Sequence, residues 1–168
     1  MSGGDLDRRL RELEDREAIR ELHNQYCFIQ DRGHASHSDE DVAAFLGLCD
    51  PDVVWEVADG PSWTGHDAVG EYLRALWPRF ESCIHYVHNL SIQFDSGTKA
   101  RGRSSFYAVG DVGGAAFVAA GYYENGYVRR PEGWRFLLHR EVPFFFVKAN
   151  ESWAGPKPCI MPEWTRQR

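Results

Sequence analysis

The stretch ESCIHYVHNL, residues 81–90, carries two histidines three positions apart, His85 and His88, in a segment whose β-branched and aromatic content reads as a strand. Imidazole is the side chain best suited to moving protons near neutral pH, so either histidine could act as a general base. Residues of opposite parity in a strand point to opposite faces, so the two should not share one pocket. Alternation alone selects His88: Ile84, Tyr86, Leu90, Ile92 and Phe94 share its parity and make a plainly apolar face, while His85 sits with Cys83, Val87, Asn89 and Ser91. A sheet buried on both faces, or a bulge between the two histidines, would remove the force of that choice. The plain alternative for each is a core histidine satisfied by a backbone carbonyl.

A second pair, His34 and His37, lies in GHASH, followed by Asp39 and Glu40. Their spacing could ligate a metal, but the segment reads as a solvated polar loop, and no metal is expected. Cys27, Cys49, Cys83 and Cys159 form no C-x-x-C pair and read as small apolar fillers rather than as a disulfide framework. The chain has no G-x-S-x-G, no phosphate-binding glycine loop and no dinucleotide fingerprint, and Gly110 to Gly114 reads as a hairpin turn. Function without a cofactor is therefore expected.

The elements that must position these residues change character along the chain. Leu6, Leu10, Leu13, Leu22, Tyr26 and Ile29 recur mostly at three- and four-residue steps, which predicts a first helix from about Asp5 to Asp31 with a projecting N-terminal half. Ser38 can cap a second helix carrying Val42, Phe45, Leu46 and Cys49, ended by Asp50-Pro51. VVWEVA is a short strand, GPSWTG is turn chemistry, and Val69, Tyr72, Leu73 and Leu76 mark a third helix that stops at Pro78. Segments 84–95, 101–109, 115–129 and 134–147 then read as a meander of strands joined by SGT, GDVGG and RPEG. Helices followed by hairpins predict an α+β domain whose curved, mostly antiparallel sheet wraps one face around the helices.

With 168 residues, 43% of them hydrophobic and 14% aromatic, one domain spanning residues 1–168 is expected, with a core over about 5–147 and an extended tail over 148–168. Trp153 and Trp164 in that tail need somewhere to dock. The net charge of −6 and the dispersed basic residues argue against nucleic acid and membrane as partners. No apolar run approaches the ~20 residues that span a bilayer, and a cytoplasmic location is the expectation.

LEDREAIRELHNQYCFIQD, CDPDVVWE, IHYVHNLSI and YYENGYVRRPEGWRF, in this order, resemble the SnoaL-like branch of the nuclear transport factor 2-like superfamily over roughly residues 5–147. That resemblance implies a cone of three helices in a strongly bent sheet around an apolar pocket. The superfamily hosts dehydratases, isomerases, hydrogen-halide eliminating enzymes, dioxygenase subunits and binding modules, so fold alone leaves activity open. The nearest resemblance is to bile-acid dehydratases and hexachlorocyclohexane dehydrochlorinases, with scytalone dehydratases more distant. It places the catalytic histidine at His85, its aspartate partner at Asp31, a tyrosine acid at Tyr26 and a pocket tryptophan at Trp55. His139 falls where the dehydrochlorinases have an arginine, and the arginine of the bile-acid enzymes falls at Pro143, so that Arg140 would substitute for it only with a local change of backbone; the aromatic content adds Tyr123 and Phe106 to the expected pocket, and His88 takes a supporting or structural role. The dehydrochlorinases carry a lysine where this chain has Tyr26 and an arginine where it has His139, so the halide-supporting cations are replaced.

These residue types fit one chemistry. Eliminating water beside a carbonyl needs a base for a carbon-bound proton and an acid for the departing hydroxide. His85 would take the first role, Asp31 would fix its tautomer, and Tyr26 would donate to the leaving oxygen or to a developing enolate. The implied function is a cofactor-independent dehydratase acting on a small apolar molecule of polycyclic or aromatic character. An isomerase or cyclase using the same base, and a non-catalytic binding or assembly subunit, are the alternatives. The Tyr, Phe and Val content of the outer sheet face leads to the expectation of a homodimer or homotrimer.

Overall fold

The computed structural model describes residues 3–152. The tail with Trp153, Cys159 and Trp164 lies outside the described residues.

Helix α1 (Gly3–Ser36) begins as a projecting arm, with Leu6, Leu10 and Leu13 each more than half exposed, and becomes a core element once Ile19, Leu22 and Tyr26 turn inward. It runs past Asp31 for another five residues. The stop is at His37, whose φ of 52° leaves the helical region and whose N–H donates to the Gly33 carbonyl at 2.9 Å. Ser38 then caps α2 (Asp39–Leu46), its hydroxyl accepting from the Asp41 N–H at 3.1 Å. Cys49, assigned from periodicity to that helix, instead opens strand β1 (Cys49–Val57). GPSWTG is more than a turn, since Ser62–Thr64 forms the edge strand β2. Helix α3 (Gly65–Leu76) passes into one 3₁₀ turn, Trp77–Arg79, where Pro78 prevents continuation.

The meander follows as β3 (Ser82–Phe94), β4 (Lys99–Val112), β5 (Ala115–Arg130) and β6 (Gly133–Lys148). The sheet order is β2-β1-β6-β5-β4-β3, antiparallel except for the β1–β6 pair. Gly113 and Gly114, both at positive φ, close the two-residue β4–β5 hairpin.

Bulges bend the sheet and reset its parity. On β6 an extra residue near Leu137 and another near Phe144 shift the pairing with β5, so Phe136, then His139, Glu141 and Pro143, then Phe146 face inward. On β3 the shift falls between His88 and Ser91, where Asn89 has a φ of 56°. The concave face closes on α1 through Tyr26, Phe45, Trp55, Trp77, Phe106, Phe117, Tyr123 and Phe136. Gly33 is what lets α1 approach so closely: a Cβ there would sit 2.5 Å from the Trp77 ring carbons.

Candidate active site

His85 and His88 do lie on opposite faces of β3, because the bulge follows both and leaves their parity intact. His85 points inward with Cys83 and Val87, whereas His88 is exposed beside Tyr86 on the outer face. The apolar set that favoured His88 is divided by the bulge. Ile84 and Tyr86 are about half exposed on the outer face, while Ile92 beyond the bulge is buried. Placing His88 in the pocket is therefore corrected.

On α1, Tyr26, Gln30 and His34 recur at four-residue steps and line one side of the cavity. Asp31, one residue beyond Gln30, reaches sideways to β3. Its Oδ1 accepts from both His85 Nδ1 at 2.7 Å and the His85 backbone N–H at 3.0 Å. This pair of bonds fixes the imidazole against its own strand. Asp31 does not close the helix, so its carboxylate is placed by His85 and not by the helix terminus.

The cavity, about 80 Å³, is bordered by Tyr26, His34, Trp55, Cys83, His85, Phe106, Phe117, Tyr123, Glu141 and Phe146, among others. Among the described residues its lining holds no lysine or arginine. Tyr26 donates to the Tyr123 hydroxyl at 3.2 Å, and Tyr123 lies face to face with Phe106 at 4.6 Å. His139 is buried behind this wall: it stacks on Trp55 at 3.7 Å and sits 4.4 Å from Tyr123. Arg140 is turned out of the pocket by the β6 bulge and pairs with Glu56 and Glu124, both at 3.3 Å. Its assignment to the pocket is corrected accordingly.

Burial sets the charge states. It opposes a charge on His85, but Cys83 and the Asp31 carboxylate outweigh it and hold the imidazole above the ordinary histidine range. Burial also pushes the Tyr26 and Tyr123 hydroxyls well above the usual tyrosine value, so both remain neutral donors. It lowers His139 well below its usual value, with the charges of His23 and His85 adding to the effect, so His139 offers no cation. The Glu141 carboxyl is raised by burial, with His85 opposing.

Two residues of this lining were not legible as such. Glu141 becomes inward only after the β6 bulge, which alternation cannot show. His34, read as part of a solvated loop, is 2% exposed and stacks on His85 with ring centres 5.9 Å apart. The signal was present, since Leu22, Tyr26, Gln30 and His34 continue one stripe past Asp31. His37, by contrast, is exposed.

A SnoaL-like domain model matches residues 11–140, most of the chain. The protein belongs to the SnoaL-like family. Gamma-hexachlorocyclohexane dehydrochlorinase of Sphingobium indicum is 26% identical to this SnoaL-like protein over 146 residues, covering 85% of this chain and 86% of the relative. Among solved structures, a scytalone-dehydratase-like protein of Novosphingobium aromaticivorans superposes with a TM-score of 0.74 at 21% identity, covering 87% of this chain and 95% of its own. Hexachlorocyclohexane dehydrochlorinase type 3 of Novosphingobium barchaimii gives 0.70 at 24% identity, covering 88% and 99%. The three helices and six-stranded mixed sheet are thus the cone fold of nuclear transport factor 2-like proteins. No helix among the described residues is long and apolar enough to cross a membrane.

Proposed function

We propose that this protein is a cofactor-independent lyase that dehydrates a small, apolar, ring-bearing hydroxy-carbonyl compound. The observation that carries the proposal is the Asp31–His85 pair at 2.7 Å on the border of an aromatic cavity. In the neutral imidazole, Nδ1–H is held by Asp31, which leaves the Nε2 lone pair to accept a carbon-bound proton. Asp31 then stabilises the imidazolium as it forms. Neutral Tyr26 donates to Tyr123, so the Tyr123 hydroxyl hydrogen is left to meet substrate oxygen and the two phenols act as one donor unit. Glu141, on the same cavity border, is a second group able to exchange a proton with the departing hydroxide. A lining without lysine or arginine favours loss of a hydroxyl, protonated as it leaves, over loss of a halide ion. The related dehydrochlorinases and the scytalone-dehydratase-like neighbour support a lyase of this kind without naming its substrate.

The test is a thermal-shift screen of compact aromatic hydroxy-ketones, followed by product analysis for loss of 18 mass units. Turnover that falls by orders of magnitude in His85→Ala, with folding intact, is the expected result. Turnover that survives in His85→Ala would end the proposal.

A further inference from the structure

We propose that His34, Cys83 and His85 form a three-ligand site for a thiophilic divalent cation of the zinc class. One potential ligand atom from each of the three lies within 4.8 Å of the other two. Cys83 and His85 are two apart on β3 and therefore share its inner face, while His34 approaches from the last turns of α1. The Cys83 Sγ is 3.8 and 3.9 Å from the two His85 ring nitrogens. Bonds of about 2.0–2.1 Å to nitrogen and about 2.3 Å to sulfur around a tetrahedral ion put neighbouring ligand atoms roughly 3.3–3.7 Å apart. The present spacing is within about 1 Å of that arrangement.

Two further observations support an ion at this place. First, His34 is 2% exposed, yet its Nδ1 has no hydrogen-bond partner. An imidazole nitrogen left so in a packed interior carries a cost that a bound ion removes. Second, His85 is already supported on one side, as metal-bound histidines are, since it gives Nδ1 to Asp31. His85 Nε2 and His34 Nδ1 are the nitrogens left to bind.

Two imidazoles and a thiolate are the donor set of zinc-class ions, and all three side chains border the cavity, so the fourth position faces solvent or a small ligand. On binding, the Cys83 thiol gives its proton to solvent and the sulfur shares its electron pair with the ion. If the proposed base is correct, occupancy also takes the His85 Nε2 lone pair and stops proton abstraction. Only this inhibitory consequence rests on the lyase reading; the site itself does not.

The test uses the full chain after chelator treatment, titrated with Co²⁺ and then with Zn²⁺. One equivalent of Co²⁺ should give a thiolate-to-cobalt charge-transfer band and tetrahedral visible bands, and Zn²⁺ should displace it. Cys83→Ser should remove the charge-transfer band and His34→Gln should weaken binding at least tenfold, while His88→Gln on the outer face should bind as wild type. Cys83→Ala replaces Cys83→Ser if the serine variant unfolds, and thermal melts without metal check the fold of each variant. A missing charge-transfer band in wild type, or one that persists without Cys83, overturns the site. Turnover that continues with Zn²⁺ bound would keep the site and remove His85 as the base. Turnover without any metal uptake would do the reverse.

Discussion

Replacing Asp31 by asparagine separates charge from shape at the proposed base. The side chain keeps its size and can still accept from the His85 backbone N–H, now 3.0 Å away, but the charge 2.7 Å from Nδ1 is gone. For charge centres about 4 Å apart in an effective dielectric of about 20, the lost attraction for a developing imidazolium is about 4 kcal/mol. That amounts to a loss of about 10³ in rate. An amide that turns its NH₂ toward Nδ1 also favours the tautomer whose hydrogen faces the cavity, which adds to the loss. The kcat of the chelator-treated protein should therefore fall at least 10³-fold in single-turnover measurements, with KM changed only a few-fold. In parallel, an NMR titration of the His85 ring should show its raised pKa dropping back, since the carboxylate is one of the causes holding it up. A variant within tenfold of wild type, with an unmoved His85 titration, would refute the assignment.

Four further outcomes follow from the same geometry. Because only neutral imidazole accepts a proton and His85 is held above its ordinary range, kcat/KM should keep rising with pH above 7; a plateau from pH 6.5 upward would contradict this. His23 is buried against the Tyr127 hydroxyl at 2.6 Å and lowered to about 4, so the folded state binds fewer protons than the unfolded one between about pH 6.5 and 4. Stability is then full above that window and falls within it by about 3 kcal/mol for His23 alone, measured by denaturant melts at pH 7.5 and 4.5 against His23→Gln. Gly33→Ala should destabilise by about 1–3 kcal/mol because its Cβ meets the Trp77 ring, whereas His88→Ala should leave turnover unchanged; equal thermal melts for Gly33→Ala and wild type would contradict that packing. Ile84, Tyr86, Tyr107 and Phe144 are 40–59% exposed on the outer sheet face, so light scattering at micromolar concentration should give a dimer or trimer and not a monomer.

Element types were largely legible from local pattern, because helical and strand periods leave their mark on neighbours a few residues apart. The stripe from Leu22 to Tyr26, the Ser38 cap, the Pro78 stop and the glycine pair at 113 and 114 each act within one turn or one hairpin. The motif resemblance named Asp31, Tyr26, Trp55 and His85, and the structure places Tyr26, Trp55 and His85 on one cavity with Asp31 bonded to His85. What alternation alone could not give was the inward side of β3 or β6. A bulge depends on how two strands pair, and one extra residue inverts every side chain beyond it. That is why Ile84 and Ile92, of equal parity, face opposite ways, and why Glu141 enters the cavity while Arg140 leaves it. His34 was misplaced for a related reason. Its burial depends on Trp77, more than forty positions away, lying flat on Gly33, and only the closed tertiary structure brings that contact about.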